Sequence, residues 1–231
     1  MLLQRNNPPT SPPPPRIEQR PDGTLYAVTG ATRTGKTTWV VERVRSRRRL
    51  LVWDSAGEFA DLHGCARITS IAELARAVVD PRPRRLALVV DVTAENFQRF
   101  CRLAMIFVQL HVDATVVVEE LADVTSPNKA PSSWGVLTRR GLRYGPEIYF
   151  LTQRPAESDK TSFGNASVIH AHQCALEIDV EYMRRQLRVP FEQVDALLPY
   201  EFIERDRRTK ALSTGRLTRP RTRRARTTSQ K

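Results

Sequence analysis

The sequence predicts an α/β fold with a mainly parallel central sheet and helices on both of its faces. Three observations predict it. Short apolar runs alternate along the chain with longer amphipathic ones. Several of the short runs are apolar throughout, as strands buried on both faces should be. The first of them leads directly into Gly30-Ala31-Thr32-Arg33-Thr34-Gly35-Lys36-Thr37, a G-x-x-x-x-G-K-T pattern followed at once by helix-forming residues. In a sheet of this kind ligands bind beyond the carboxyl ends of the strands, so function is sought just after each strand.

In chain order, Thr24 to Thr29 reads as the first strand and Lys36 to Arg47 as the helix after the glycine-rich turn. The cations around its end, Arg45, Arg47, Arg48 and Arg49, suit the negative end of the helix dipole and read as solvated surface. Leu50 to Trp53 is a second strand. Ile71 to Val79 is a helix that Ser70 caps, with Glu73 three residues on completing a capping box. Leu86 to Val92 and Ala114 to Val118 are strands separated by the helix Glu95 to Leu110. The helix Trp134 to Arg143 precedes a strand over Glu147 to Thr152, and the strand Val168 to Glu177 precedes a helix over Val180 to Leu187. Trp39 and Trp53 read as core residues. His170, His172 and Cys174 alternate on one face of a predicted strand with no second cluster at metal-ligand spacing, which favours packing over zinc.

The ends differ from this middle. Residues 1–22 read as an extended Pro-rich arm with four consecutive prolines, Pro12 to Pro15. Residues 207–231 read as a basic tail: from Gly215 onward there are seven cations and no acid. Between them, 23–206 form the predicted catalytic domain. The net charge is +12, and 32 of the 37 cations are arginines, planar donors suited to phosphate. Nucleic acid is therefore a natural partner. Three scattered cysteines, Cys65, Cys101 and Cys174, fit neither a disulfide framework nor a zinc ribbon. No apolar run is long enough to span a membrane, and Met1 to Arg5 is followed by prolines rather than by the apolar core of a signal peptide. The chain is expected to work inside a cell.

The glycine-rich turn is the strongest functional signal. Gly30 and Gly35 let successive N–H groups of Ala31, Thr32, Arg33 and Thr34 wrap a β-phosphate at a helix N-terminus. Lys36 neutralises β/γ oxygens, and Thr37 offers its hydroxyl to Mg²⁺. A second strand, Ala114 to Val118, ends in Glu119 and Glu120. Glu119 is expected to hold Mg²⁺ and Glu120 to deprotonate the attacking water, a pairing that indicates ATP hydrolysis rather than transfer to another acceptor. A third ends in Thr152-Gln153-Arg154-Pro155, where the amide of Gln153 can reach both the water and the γ-phosphate.

With these three strand ends, the string Tyr149-Phe150-Leu151-Thr152-Gln153-Arg154-Pro155 resembles the FtsK/HerA superfamily of DNA-pumping ATPases. The resemblance covers about residues 24–206. It extends to Leu51-Val52-Trp53-Asp54, similar to that fold's second strand with an acid at its end, and to Leu198 to Asp206, similar to its closing strand. It implies a RecA-like P-loop NTPase, with Gln153 as γ-phosphate sensor and a homo-oligomeric ring, a hexamer being favoured. Among members of that superfamily the chain resembles in size the small genome-packaging ATPases of tectivirus-like, membrane-containing phages. That implies translocation of double-stranded DNA into a preformed capsid, capsid-vertex or virion membrane proteins as partners, and a place in the host cytoplasm and at the packaging vertex.

A ring also implies an arginine supplied by the neighbouring subunit. Arg143 is the first candidate, then Arg140 and Arg139, with Arg154 as an alternative. DNA-contacting loops are expected at Ala122 to Ser133, with Asn128 and Lys129, and at Ser158 to Asn165, with Lys160 and Gly164. Three other readings remain: a Zot-like ATPase that extrudes single-stranded DNA phage, a nucleotide-binding vertex scaffold without turnover, and a small-molecule kinase.

Overall fold

The structure is a computed structural model that describes residues 22–218. The Pro-rich arm, apart from Asp22, and the tail cations beyond Arg216 lie outside the described residues. Among the described residues nine strands form one sheet in the order β3-β4-β2-β5-β6-β1-β7-β8-β9. They are β1 (Thr24–Thr29), β2 (Leu50–Trp53), β3 (Ala66–Ile68), β4 (Arg85–Leu88), β5 (Thr115–Val118), β6 (Glu147–Thr152), β7 (Val168–Ala171), β8 (Glu201–Asp206) and β9 (Leu212–Arg216). Every pairing from β3 to β7 is parallel; β7–β8 and β8–β9 are antiparallel. The mainly parallel α/β sheet is thus as expected.

Strand alternation divides the core between the two faces. Leu51, Trp53, Val116, Val118, Ile148 and Phe150 face one side. There they pack beneath α3 (Ile71–Val78), α4 (Ala94–Leu110), α5 (Ser132–Arg140), α6 (Lys160–Asn165), α7 (Glu177–Leu187) and α8 (Phe191–Asp195). Leu50, Val52, Val117, Tyr149 and Leu151 face the other, against α1 (Lys36–Val44) and α2 (Glu58–Leu62). Trp39 and Trp53 are both buried, one in each core.

Where the structure differs from expectation, the reason is local. The first helix stops at Val44 rather than Arg47, because the Arg85 guanidinium takes up the carbonyls of Val44 and Arg47, each at 2.8 Å. Arg47 itself pairs with Glu147 at 2.5 Å, and Arg49 donates to the carbonyls of Val112 and Pro81, so the arginines after α1 pin neighbouring loops. The fourth strand is Arg85–Leu88, shifted from Leu86 to Val92. The seventh ends at Ala171, not Glu177. Beyond it the chain turns to follow the glycine-rich loop, with the Gln173 carbonyl accepting from Ala31 N–H at 2.7 Å. The predicted helix Trp134 to Arg143 is α5 plus a 3-10 turn over Gly141–Tyr144. Ser158 to Asn165 is no open loop: Asp159 caps α6 by accepting from Ser162 N–H at 2.8 Å. The closing strand begins at Glu201, and Leu212–Arg216, read as the start of the tail, is paired along β8. The boundary expected at 206 therefore falls inside the sheet.

Candidate nucleotide site

The carboxyl ends of β1, β2, β5 and β6 converge on a cleft of 690 Å³ lined by Thr32, Arg33, Lys36, Thr37, Glu119, Glu120 and Gln153, among others. β1 delivers the chain into the glycine-rich loop, where Gly30 and Gly35 have φ of 143° and 120°, a region closed to most L-residues. Thr34 Oγ1 bonds back to the Ala31 carbonyl at 2.7 Å, and Lys36 Nζ reaches the same carbonyl at 3.0 Å, so the loop is closed on itself. Burial pulls the Lys36 ammonium below its ordinary value, while Glu120 and Glu119 pull it back.

The two acids at the end of β5 turn to different partners, which the sequence did not disclose. Glu119 is buried, and its carboxyl is pushed up to about 9. The cause is first burial, then a hydrogen bond to Asp54, then the charges of Asp54, Glu58 and Glu120. Asp54 Oδ2 accepts from Ala60 N–H at 2.9 Å, whereas Asp54 Oδ1 and Glu119 Oε2 have no other donor. A proton on Glu119 supplies the donor that the pair lacks. Trp53 stands beside Val118 in the β2–β5 register, so the next residue of each strand brings Asp54 to Glu119. The sequence marked Asp54 only as the acid ending Leu51-Val52-Trp53-Asp54; the register supplies its partner.

Apart from the proton on Glu119, Asp54 Oδ1 and Glu119 Oε2 are buried acceptors with no protein donor, the chemistry that suits a cation. Among the described residues no three acid, His or Cys side chains converge as a metal site of their own. This donor set fits Mg²⁺, which uses one or two carboxylates together with substrate phosphates and water. Glu119 and the Thr37 hydroxyl would hold it, with Asp54 behind.

Glu120 points elsewhere. It has φ 43° and ψ 67°, a left-handed conformation that sends its carboxylate toward β6. Its Oε1 accepts from Thr152 Oγ1 at 3.2 Å and from Gln153 N–H at 2.9 Å. The Gln153 side-chain oxygen accepts from the Thr32 hydroxyl at 2.5 Å, tying β6 to the glycine-rich loop and leaving the NH₂ of the amide free of that bond. The sequence placed Gln153 here but not its bond to Thr32.

The arginines are not brought to this cleft. Arg139, Arg140 and Arg143 are exposed, with Arg139 and Arg143 donating to carbonyls of their own turn. They precede β6, near where Gly23 N–H meets Leu142 O, at the opposite end of the sheet from the glycine-rich loop. Strands of six residues span about 20 Å, so none serves its own subunit's cleft. Arg154 is held by the buried Asp179 at 3.0 Å and by Glu157. Of the DNA-loop candidates, Lys129 and Lys160 are exposed in neighbouring segments, joined by Lys160 N–H to Pro127 O at 3.2 Å. Asn128 and Gly164 are exposed as well.

No protein-family model matches the chain. Protein P9 of Pseudoalteromonas phage PM2 is 37% identical over 150 residues, covering 62% of this chain and 67% of P9. The chain belongs to the P9 family. Among solved structures, this P9-family chain is similar to the genome packaging NTPase B204 of Sulfolobus turreted icosahedral virus 2 in complex with AMPPCP. The TM-score is 0.71 at 12% identity, over 86% of this chain and 99% of B204. It is also similar to the cytoplasmic domain of the Thermomonospora curvata Type VII secretion ATPase EccC. There the TM-score is 0.55 at 12% identity, over 84% of this chain but 25% of EccC. The P9-family chain thus has the P-loop NTPase fold. Among the described residues no helix is long and apolar enough to cross a membrane.

Proposed function

We propose that this P9-family protein is a Mg²⁺-dependent ATPase that drives double-stranded DNA into a viral capsid. The observation that carries the hydrolytic part is the clasp on Glu120, whose carboxylate is aimed at the rim of the cleft by Thr152 and Gln153. A carboxylate fixed there, beside a phosphate-binding loop, is placed to take a proton from water. The genome-packaging role rests on the likeness to B204 and on the cationic excess of the chain.

In this reading the N–H groups of the glycine-rich loop and Lys36 bind the β- and γ-phosphates of ATP, and the Gln153 amide orients the terminal phosphate and the water. Glu120 accepts the water's proton. Glu119 and the Thr37 hydroxyl would hold Mg²⁺, which would supply positive charge against the charge that builds on the phosphates. Because Arg140 and Arg143 lie at the far end of the sheet, either acts on a neighbouring subunit's site, which is how a ring would complete catalysis. Lys129, Lys160 and the basic tail supply phosphate contacts without sequence readout. The protein would act in the host cytoplasm and at the packaging vertex.

The test is ATP turnover by the wild type and Glu120→Gln, without DNA and with single- or double-stranded DNA at matched salt. Expected are turnover raised by duplex and a loss of at least 100-fold in the variant with ATP binding kept. Normal turnover by Glu120→Gln would overturn the assignment of the base. Stimulation by single strands alone would point to an extruder, and binding without turnover to a scaffold.

A further inference from the structure

The sequence gives the glycine-rich loop its glycines, but the structure shows what stands behind them. A Cβ added at Gly30 would lie 2.7 Å from Cβ of His172, and one at Gly35 would lie 2.9 Å from its Cε1. One side chain thus packs against both glycines of the motif, through its Cβ at Gly30 and its ring at Gly35. His172 N–H donates to Thr29 O at 2.9 Å and the following carbonyl, of Gln173, accepts from Ala31, so the backbone on either side of the ring also follows the loop.

The ring has one orientation. Its Nδ1 is 2.8 Å from the carbonyl oxygen of Glu201, which can only accept, so Nδ1 carries the hydrogen. Burial keeps the ring neutral, and its Nε2 is then an acceptor, 3.2 Å from Nε2 of His170. His170 donates there, and its Nδ1 faces Glu204 Oε2 at 2.9 Å. One proton is held between His170 Nδ1 and Glu204, and either location leaves His172 as it is. Around this chain stand Trp39, stacked on His170 at 3.9 Å, Phe202 at 4.7 Å, and Arg43, 3.4 Å from Glu204.

We propose that His172 is the positioning residue of the phosphate-binding loop, held in register by His170 and Glu204, and that this buried chain sets the affinity for the phosphates of a nucleoside triphosphate. The inference rests on the nucleotide-site reading above. It assigns a task to three side chains that hydrolysis itself does not use. His170 and Glu204 act on the loop only through His172, so altering them without touching the loop separates positioning from contact.

The experiment is calorimetric titration of the full chain with Mg²⁺ and AMPPCP, together with thermal melting in the absence of nucleotide. His170→Phe keeps a ring against Trp39 but removes the donor to His172; a loss of at least fivefold in affinity is expected. His170→Gln restores a donor and should bind within about twofold of the wild type. On the partly exposed Glu204, where folding is less at risk, Glu204→Leu should weaken binding and Glu204→Gln, whose amide can donate to His170 Nδ1, should not. A simple packing role predicts that the Phe and Leu variants bind as the wild type does, and that result overturns the proposal. A wild type that binds no AMPPCP would overturn the nucleotide-site reading instead, and this one with it.

Discussion

At the end of β5, Glu119 is buried against Asp54 with two carboxylate oxygens that have no donor other than a shared proton. At the end of β7, His170 and His172 are equally buried, yet all four ring nitrogens have a partner. Both pairs flank the same glycine-rich loop. A buried polar group left unsatisfied costs about 1–3 kcal/mol, so a fold keeps one where a ligand will satisfy it. A fully paired network rigidifies its surroundings instead. The acids are built to receive something, and the imidazoles to hold something still.

The sharpest way to break this contrast is Glu119→Gln. Turnover should fall by at least 100-fold, about 2.7 kcal/mol of transition-state stabilisation, while the nucleotide-free protein melts about as the wild type does, since the Gln amide supplies the donor that the proton on Glu119 supplied. Turnover near the wild-type rate would show the acid pair to be structural.

The two pairs should also tilt stability with pH in opposite directions. With divalent ions chelated, Glu119 keeps a proton up to about pH 9 that the unfolded chain sheds near 4.5. Raising the pH across that window costs stability, at most about 1.4 kcal/mol per pH unit. His172, pushed down to about 3, refuses a proton that the unfolded chain takes up near 6.5, so stability is lost as the pH falls below 6.5. Urea midpoints should therefore peak between pH 4.5 and 6.5. In Glu119→Gln the decline from pH 6.5 to 9 should flatten; an unchanged decline would assign it to another group.

Two smaller effects refine the picture. Thr32→Val removes the hydroxyl that holds the Gln153 side chain, and steady-state turnover should drop about fivefold with little change in nucleotide affinity. Arg43→Ala removes the cation 4.0 Å above the Trp39 ring and the surface partner of Glu204. Because Arg43 is substantially exposed, the loss should be about 0.5–1 kcal/mol in chemical denaturation, with nucleotide affinity unaltered.

Much of this was legible from local pattern. The glycine-rich loop, the Glu119–Glu120 strand end and Gln153 each sit where a short motif meets a strong strand, and all line one cleft. What escaped was long-range or locally weak. The elements α2, β3 and α8 are three to five residues long, too short for periodicity to register. β9, Leu-Ser-Thr-Gly-Arg, is largely exposed and has no apolar alternation; its ladder with β8 makes it a strand. The pattern Val168 to Glu177 continues past Ala171, yet the chain leaves the sheet to serve the loop, a tertiary demand that overrides strand propensity. His172 was read as packing, and it is buried; that its packing partners include Gly30 and Gly35 depends on contacts more than 130 positions away in the chain.

Those contacts carry a consequence for synthesis. Gly30 to Lys36 is made well before the residues that back it. His172 lies under the glycines, Tyr200 donates its N–H to Thr34 O at 2.7 Å, and Leu217 lies 3.3 Å from a Cβ placed at Gly35. At roughly 5–20 residues per second, the ~180 residues between Gly35 and Leu217 separate the loop from its last support by on the order of ten to forty seconds. A nascent chain halted before β8 lacks Glu204 and Leu217, so in the proposed reading tight nucleotide binding would mark that translation has passed the closing hairpin.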